Sequence, residues 1–403
     1  MDLTFVYDVV CPYAYLASTR VEALAARHGA TLRWAPVLLG GIFRQIGTPD
    51  VPAAGWPRNK VLLGERDLLR QAERFGVPLV RPAAHPRRTV DAQRLLVAAP
   101  DALRPALTHA LYRAYWVEGR DVSSLDVLGG IAREHGLDPA VITDPSVRQA
   151  LVDQTAWAVG RGVFGVPSFL VGDTLQWGSD RLGFVEEALG GQPTALPGPR
   201  RPLGHQARLR FFHDVSSPFS YLASTQVARV AAEHHAHLEW VPILLGGLFR
   251  AIGTPDVPLF AMAAPRQAWF LQDLNRWAAR WGVPFRFPST FPVRSVLPLR
   301  VALCAPEVTP VLYRALWAED RDIGHPDVLC GVLGAAGFDG PGLLAAAERP
   351  GVKAALRQNT EDAAALGACG VPSFLIDGDL LIWGQDRLDQ VEAALDGWRP
   401  VAG

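Results

Sequence analysis

The sequence predicts an α/β protein built from two tandem copies of one domain. Residues 11–51 match residues 217–257 at a constant offset, and GGIFRQIGTPDV of the first copy becomes GGLFRAIGTPDV in the second. The repeat period is near half of the 403 residues, so tandem domains are expected rather than a solenoid, whose repeats span roughly 20–50 residues. The first copy has Cys11 where the second has Ser217. The copies therefore share a pattern but differ at a chemically reactive position.

Each copy is predicted to begin with a β-α-β unit. The run LTFVYDV at residues 3–9 is rich in β-branched and aromatic residues, which favours a strand. The segment YAYLASTRVEALAARHG has apolar residues at helical spacing and ends at Gly29, and TLRWAPVLL is typical of a second strand. Such crossovers favour parallel pairing. RLRFFHDV, SPFSYLAST and LEWVPILL repeat the pattern in the second copy.

A helical block and a β-β-α ending are predicted next. The block covers roughly residues 58–160, with breaks near residues 76–78 and 81–86. GVPSFLVGDTLQWGSDRLGFVEEAL then predicts a strand after a proline, a turn at Gly172-Asp173, a second strand and a helix from Ser179. This order resembles a thioredoxin-like fold with an all-helical insertion. We predict domains at residues 1–191 and 207–403, joined by a Pro/Gly-rich linker at residues 192–206.

Composition narrows the function classes. The 39 basic and 40 acidic residues leave a formal charge of −1, which argues against nucleic acid as the main partner. The N-terminus lacks the features of a signal peptide, and no run approaches 18 apolar residues, so neither secretion nor a membrane span is expected. The four cysteines, which contain no CxxC pair, do not form a disulfide framework, and no metal site is predicted. A cytoplasmic location is expected.

The first helix start is the leading candidate site. Cys11 and Ser217 each precede a proline, which suits the first position of a helix, so each is predicted to be the N-cap. Free amides and the helix dipole face this position, and a cysteine there is expected to have a lowered pKa. The Ser217 hydroxyl could instead hydrogen-bond a thiolate delivered from outside. The plain alternative is an ordinary serine cap and an inert buried cysteine.

A Val-Pro pair precedes the third strand of each copy. The pairs are Val166-Pro167 and Val371-Pro372, and a proline is tolerated at a strand start. In thioredoxin-like folds this proline is cis, and the preceding residue presents its backbone to a peptide-like ligand. A trans-proline turn is the alternative. Cys369 lies three residues before Pro372 and is expected to be a small buried filler, although it could sit near a pocket.

Polar residues at two further places complete the candidate set. The closing helices are predicted to start at Ser179-Asp180 and Gln385-Asp386, where an aspartate either caps the helix or meets a ligand ammonium group. In the helical block, Lys60 and Arg266 occupy equivalent positions and could bind a ligand carboxylate or be solvated helix charges. The Tyr-Arg-x-x-Trp motifs at residues 112–116 and 313–317 are interpreted as helix packing.

Together these segments resemble the 2-hydroxychromene-2-carboxylate isomerase family, which is related to kappa-class glutathione transferases and DsbA-like oxidoreductases. The resemblance rests on DVSSPFSYLAS, WVPILLGGLFRAIG, GVPSFLIDGDLLIWGQDRL and their first-copy counterparts, and it covers nearly all of both copies. It implies glutathione as cofactor and a small aromatic or conjugated carboxylate as substrate. The implied reaction is a cis-trans isomerisation, in which a glutathione thiolate adds reversibly to the conjugated alkene. Relatives typically dimerise, so the two copies could form an internal pseudo-dimer.

The resemblance also implies roles for individual residues. Ser217 resembles the family's catalytic serine, and Val371 the residue that pairs with the cysteinyl backbone of glutathione. Gln385 and Asp386 resemble the pair that holds the γ-glutamyl end, and Arg266 stands where the family has a lysine. The first-copy counterparts of these cofactor-binding residues are Val166, Pro167, Ser179, Asp180 and Lys60.

The chain departs from the family pattern in ways that leave other functions open. Thr48 and Thr254 stand where relatives have asparagine, and Cys11 has no second cysteine because Ala14 occupies that place. A dithiol cycle within this motif is therefore excluded, whereas a mixed disulfide at Cys11 is not. The alternatives to an isomerase are a thiol-disulfide oxidoreductase or glutathione transferase that uses Cys11, and a non-catalytic module that binds small thiols or peptides.

Overall fold

The computed structural model describes residues 1–49, 51–194, 203–255 and 257–401. The elements of the first copy are β1 Asp2–Tyr7, α1 Pro12–Arg27, β2 Thr31–Pro36, α2 Leu39–Gln45, α3 Arg58–Phe75, α4 Val90–Ala98, α5 Arg104–Trp116, α6 Leu125–Glu134, α7 Pro145–Gly160, β3 Ser168–Val171, β4 Thr174–Trp177 and α8 Leu182–Ala188. Those of the second copy are β5 Arg208–His213, α9 Pro218–Glu233, β6 His237–Pro242, α10 Leu245–Ile252, α11 Ala264–Arg280, α12 Val296–Cys304, α13 Thr309–Trp317, α14 Pro326–Ala335, α15 Gly340–Ala347, α16 Pro350–Ala365, β7 Ser373–Ile376, β8 Leu380–Trp383 and α17 Leu388–Leu395.

Each copy contains a four-stranded mixed sheet. The strand orders are β2-β1-β3-β4 and β6-β5-β7-β8. The first two strands of each copy pair in parallel, with Asp2 opposite Thr31 and Arg208 opposite His237, and the remaining pairs are antiparallel. The predicted parallel pairing is therefore confirmed for the β-α-β unit. The strands after the helical insertion add an antiparallel half to each sheet.

The predicted elements are confirmed, with shifted ends. The first strand stops at Tyr7 rather than residue 9, because the Asp8 carboxylate accepts a hydrogen bond from the Val10 amide and turns the chain. The closing helices begin as short 3-10 turns at Ser179–Arg181 and Gln385–Arg387. Between β2 and β3, and between β6 and β7, all the long described elements are helical, as expected for an insertion. No helix in the described part of the chain is long and apolar enough to cross a membrane.

A stack of aromatic rings forms the core beside each first strand. Phe5 stacks on Tyr7 and Phe169 at centroid distances of 5.0 and 5.4 Å, and Trp34 meets Phe5 edge-on. The second copy repeats this arrangement, with His213 in place of Tyr7. Burial lowers the pKa of His213 to about 3, so this ring is neutral near pH 7 and packs as a core residue.

The chain forms two compact units that do not coincide with its two sequence halves. The first unit comprises Met1–Pro52, Leu68–Pro197 and Ala263–Arg266, and the second comprises Ala53–Asp67, Gly198–Met262 and Gln267–Gly403. The start of α3 thus belongs to the second unit, and the start of α11 to the first. The predicted linker, residues 192–206, includes residues 195–202, which lie outside the described residues. The domain limits 1–191 and 207–403 stay a prediction.

Candidate functional site

Ser217 joins the start of α9 to the loop before β7. Its Oγ accepts a hydrogen bond from the Ser220 amide at 3.2 Å and donates one to the Val371 carbonyl oxygen at 3.4 Å. The Val371-Pro372 peptide bond is cis, as expected. Ser217 is an N-cap, as predicted, and only 4% of its surface is exposed. The bond to Val371 is long and therefore weak, so the hydroxyl can be redirected to another acceptor at little cost.

Cys11 occupies the same place in the first copy, but its chemistry differs from the expectation. Its Sγ donates a hydrogen bond to the Val166 carbonyl oxygen at 3.2 Å, and the Val166-Pro167 bond is cis. Burial raises the pKa of Cys11 to about 12, and hydrogen bonds from the Ala14 and Tyr13 amides offset only part of this effect. The predicted lowered pKa is therefore wrong. The amides do face the sulfur, but the desolvation of a buried thiolate outweighs them.

We expect the Cys11 thiol to react slowly with iodoacetamide at neutral pH. With a pKa of about 12, on the order of 10⁻⁴ or less of the thiol is ionised there. The rate at Cys11, followed by peptide mass spectrometry, should still rise with pH beyond about pH 9. Cys304, which is partly exposed, is the internal control and should be alkylated first. Faster alkylation at Cys11 than at Cys304 would contradict this prediction.

A buried aspartate, missed in the sequence, lies three residues before the N-cap of the first helix in each copy. Asp214 Oδ1 accepts hydrogen bonds from the amide and hydroxyl of Ser216, both at 2.9 Å. Its Oδ2 accepts bonds from the Leu245 amide at 2.8 Å and the Ser295 hydroxyl at 3.1 Å. This carboxyl thus ties together the strand end, the start of α10 and the insertion. A signal was present, because Asp8 and Asp214 both directly follow the first strand of their copy in the repeated pattern.

The Tyr-Arg-x-x-Trp motif supports the same turn from the insertion side. The Trp317 Nε1 donates to the Val215 carbonyl oxygen at 2.8 Å, and the Tyr313 hydroxyl donates to the Asp214 carbonyl oxygen at 3.2 Å. Trp116 and Tyr112 make the equivalent bonds to Val9 and Asp8, at 2.9 and 3.4 Å. These side chains are fully buried, which confirms their interpretation as packing residues and shows that they also fix the backbone before the helix start.

In the second copy, the cis-proline loop is bonded to the turn that carries Gln385 and Asp386. The Gly384 amide donates to the Pro372 carbonyl oxygen at 3.0 Å. Gly384 has a φ of 111°, and a Cβ at this position would collide with the Asp386 carboxylate. Both the backbone conformation and the lack of space therefore require glycine. Gln385 is buried, whereas Asp386 lies 3.3 Å from Arg387. The structure therefore brings the Ser217, Val371 and Gln385-Asp386 segments together.

Asp67, which the sequence did not single out as a site residue, lies beside this turn in the second unit. Arg387 binds both of its carboxylate oxygens, at 2.8 and 3.0 Å, and Gln390 donates to Oδ1 at 2.8 Å. This bidentate geometry is the strong form of an arginine–carboxylate pair. The Asn59 side chain also donates to the carbonyl oxygens of Ala364 and Ala368. Residues 53–67 are therefore bonded to elements of the second copy.

The first-copy turn is built in the same way, but with a different neighbour. The Ser179 hydroxyl is buried and donates to the Gln71 side chain at 3.0 Å. Asp180 lies 3.0 Å from the Arg181 guanidinium group. The Gly178 amide donates to the Pro167 carbonyl oxygen at 2.9 Å, so Cys11, Val166, Pro167, Ser179 and Asp180 form one cluster in the first unit.

The structure places each of the two cations of the helical block in the unit of the other copy, contrary to the expectation from the sequence. Lys60 belongs to the second unit, where its Nζ lies over the Trp56 ring at 4.2 Å and its charge lowers the pKa of Cys369 against the larger effect of burial. Arg266 belongs to the first unit and lies over the Trp177 ring at 5.3 Å. The association of Arg266 with the Ser217 copy is thus corrected. The physical reason is that the start of each block helix packs in the unit of the other copy.

Cys369 is a core residue, as expected. It is 5% exposed and packs in a cluster with Leu63, Val371 and Leu375. Burial raises its pKa to about 12, which leaves it a thiol near pH 7.

We expect Asp67→Asn to destabilise the second unit by about 2 kcal/mol, because it removes the bidentate charged acceptor of the mostly buried Arg387. Denaturant unfolding followed by tryptophan fluorescence gives the change. Glu233→Gln is the matched control, because Glu233 pairs with Arg229 where both side chains are about half exposed. Its effect should stay below about 0.5 kcal/mol. Equal effects of the two substitutions would show that the Asp67 pair contributes no more than a surface pair.

These clusters define a class of protein. Each has the arrangement of a thioredoxin-like fold, with Cys11 or Ser217 at the N-terminus of the first helix and a cis-proline loop bonded to it. The chain belongs to the DSBA-like thioredoxin domain family, whose model matches residues 2–190 and again residues 208–396. The double match confirms the tandem duplication and the thioredoxin-like fold of both copies.

Two curated relatives and one solved structure illustrate the similarity. A 2-hydroxychromene-2-carboxylate isomerase from Pseudomonas putida is 31% identical over 196 residues, which is 47% of this chain and 95% of the relative. A protein named glutathione S-transferase kappa 2 from Caenorhabditis elegans is 28% identical over 202 residues, or 45% and 89% of the two chains. The solved structure of a 2-hydroxychromene-2-carboxylate isomerase aligns with a TM-score of 0.42 and 28% identity, over 47% and 95%. The expectation of an isomerase-like or transferase-like enzyme is confirmed by the curated relatives.

Proposed function

We propose that this protein is a glutathione-dependent cis-trans isomerase of the 2-hydroxychromene-2-carboxylate type. The observation that carries the proposal is the Ser217 hydroxyl, held between a helix start and a cis-proline loop by a weak bond to the Val371 carbonyl oxygen. Named relatives of this kind support the reaction class. The substrate in this proposal is a small aromatic or conjugated carboxylate. The free cysteines of the described chain are in keeping with a reducing, cytoplasmic location.

The donor set of the second unit suits glutathione. A serine hydroxyl faces the place of a sulfur anion, and Val371 presents backbone before the cis bond. Asp386 and Gln385 offer a carboxylate and an amide for the γ-glutamyl end, and Lys60 offers a cation for a carboxylate. In the first unit, the corresponding cofactor-binding residues would be Val166, Pro167, Ser179, Asp180 and Arg266.

In this proposal, Ser217 turns its O–H from Val371 to the bound sulfur and stabilises the thiolate. When bound, glutathione supplies the thiolate that adds reversibly to the conjugated alkene and thereby frees rotation about that bond. The α9 N-terminus contributes its positive end at the same place. Asp214, Tyr313 and Trp317 hold the backbone of this turn, so the hydroxyl is positioned before the ligand binds.

The deciding experiment is glutathione-dependent turnover of trans-o-hydroxybenzylidenepyruvate, followed by absorbance, beside glutathione binding measured by calorimetry. Turnover that requires glutathione supports the proposal. Binding without turnover leaves a thiol site with another substrate. Absence of glutathione binding contradicts the proposal and leaves a module that binds other thiols or peptides.

The second candidate is a glutathione transferase or thiol-disulfide oxidoreductase that uses Cys11. The observation in its favour is that the Cys11 sulfur lies at the reactive position, 3.2 Å from the Val166 carbonyl oxygen. The raised pKa and the absence of a cysteine at residue 14 oppose it. A mixed disulfide with glutathione at Cys11, released by dithiothreitol, would favour this function over the isomerase.

A further inference from the structure

The two copies differ at one buried ring of their aromatic stacks, which is Tyr7 in the first copy and His213 in the second. Each ring stacks on the phenylalanine two residues before it, at centroid distances of 5.0 Å for Tyr7 and 5.2 Å for His213. Each also meets the tryptophan of the second strand edge-on, at 5.5 and 5.4 Å. The imidazole therefore lies in its own unit where the phenol lies in the other.

In the first copy, the hydroxyl group of this tyrosine bonds a buried threonine. The Tyr7 hydroxyl lies 2.6 Å from Thr108 Oγ1, and Thr108 donates its own proton to the Arg104 carbonyl oxygen at 2.8 Å, so the tyrosine is the donor. The counterpart of Thr108 is Thr309, because each lies four residues before the tyrosine of the Tyr-Arg-x-x-Trp motif. An imidazole has no hydroxyl group and is shorter than a phenol, so His213 does not repeat this direct bond.

In the second copy, two polar atoms take the places of the bonded oxygens of the first. They are His213 Nε2 and Thr309 Oγ1, and neither residue has any exposed surface. Among the residues that the structure describes, neither atom has a hydrogen-bond partner. A polar atom that is buried without a partner destabilises a fold, and ordered water is the usual partner where the protein supplies none.

The other hydrogen bonds of the histidine determine which of its ring nitrogens carries the proton. His213 Nδ1 lies 3.1 Å from the Tyr313 hydroxyl, and that hydroxyl donates its single proton to the Asp214 carbonyl oxygen at 3.2 Å. Tyr313 is therefore the acceptor of the bond to His213, and Nδ1 carries the proton of the neutral ring. Nε2 is then an acceptor that requires an O–H or N–H donor.

We propose that the core of the second unit binds one water molecule, which donates a hydrogen bond to His213 Nε2 and accepts one from the Thr309 hydroxyl. This water occupies the place that the Tyr7 hydroxyl group has in the first copy. The two ring stacks otherwise match closely, so the space gained is about that of a hydroxyl group, which selects water over any larger ligand. The histidine and the threonine supply the two polar partners that a buried water needs at least. The inference does not depend on the proposed function, because it concerns the interior of the fold.

The test is a crystal structure of the full chain at a resolution that places ordered water. The wild type is expected to show a solvent peak at about 2.7–3.2 Å from both His213 Nε2 and Thr309 Oγ1. The first unit is the internal control, because Tyr7 and Thr108 bond each other directly and should have no peak between them. In crystals of His213→Tyr, the introduced hydroxyl group should replace the peak and bond Thr309.

Denaturant unfolding of two variants gives a second measurement, in solution. His213→Tyr supplies a hydroxyl group to Thr309, whereas His213→Phe supplies a ring of similar size with no polar atom. His213→Tyr is therefore expected to unfold at a higher denaturant concentration than His213→Phe. The matched change in the first copy is Tyr7→Phe, which removes the donor to Thr108 and should lower the unfolding midpoint for the same reason.

Each outcome decides for or against the buried water. A peak that bonds both atoms in the wild type and is replaced in His213→Tyr supports the inference. A wild type with no peak beside His213 Nε2, or with a direct bond from Thr309 to that atom, overturns it. Equal unfolding midpoints of His213→Tyr and His213→Phe also overturn it, because they would show that Thr309 requires no partner. If His213→Tyr does not fold, the wild-type crystal alone decides.

Discussion

Ser217→Ala is expected to lower glutathione-dependent turnover by about 10²–10³-fold, the effect of removing one donor to a developing or bound anion. The hydroxyl is the side-chain donor that links α9 to the cis-proline loop, through its bond to the Val371 carbonyl oxygen. Without it, a bound sulfur would keep only the backbone amides and the helix dipole. The loss should therefore appear mainly in kcat and in the ultraviolet absorbance of the bound thiolate, and glutathione affinity should change less.

Two variants distinguish this loss from a structural defect. Ser217 also caps α9, and removal of the bond from the Ser220 amide costs about 1 kcal/mol, which is too little to unfold a domain of this size. Ser217→Thr keeps both the cap and the hydroxyl and should retain most of the turnover. Cys11→Ala should change turnover by less than about twofold, because that thiol is buried and un-ionised. If Cys11→Ala abolished turnover and Ser217→Ala did not, the chemistry would belong to the first copy.

Local pattern predicts most of the fold. The strands and the Pro-led first helices follow from residue types within one or two turns of chain, and they are confirmed in both copies. The cis prolines before β3 and β7 were expected from the resemblance to thioredoxin-like folds, and they too are confirmed. The repeat itself helps, because a position that is interpreted in one copy can be checked in the other. The strand ends are less predictable, since the bond from the Val10 amide to Asp8 stops β1 before the apolar run ends.

Local sequence patterns do not predict which distant segments of the chain pack together. Lys60 and Arg266 are equivalent in sequence, yet each lies in the unit of the other copy. Helical periodicity shows that α3 and α11 are helices and says nothing about which sheet their first turns join. Asp67 was passed over for the same reason, because its partners Arg387 and Gln390 are more than 300 residues away.

The pKa of Cys11 could not be predicted from the sequence for a second reason. The helix start and its amides are visible in the sequence, but the degree of burial is not, and burial decides the sign of the pKa shift. Ser217 avoids the problem, because a neutral hydroxyl carries no charge that burial would penalise.

Asp214→Ala is expected to destabilise the second unit by about 3–5 kcal/mol, the cost of leaving several partners of a buried acid unpaired. The Leu245 amide and the Ser295 hydroxyl would lose their acceptor in the interior, and the turn before Ser217 would lose its bond to Ser216. Turnover should fall together with stability, because this turn positions Ser217. Asp214→Asn keeps the shape and one acceptor oxygen and should cost about half as much. Asp8→Asn is the matched control, and it should affect the first unit.

The pH dependence of Asp214→Asn tests the state of the carboxyl. Burial raises the pKa of Asp214 above its ordinary value of 3.8, despite hydrogen bonds from Leu245 and Ser216 that lower it. A raised pKa means that the folded state favours the neutral acid. The contribution of this group to stability is therefore complete below its unfolded pKa and is lost as the pH rises through the folded pKa. The asparagine does not titrate.

The advantage of wild type over Asp214→Asn in the free energy of unfolding should therefore shrink as the pH rises above the ordinary aspartate pKa of 3.8 and through the raised pKa of the folded state. Denaturant midpoints of both proteins at several pH values measure this difference, and all other titrating groups cancel in it. A difference that grows with pH would mean that the four hydrogen bonds to the carboxylate outweigh its burial. The buried acid would then act as a fixed negative charge beneath the Ser217 turn, which would oppose a thiolate there and weaken the case for glutathione.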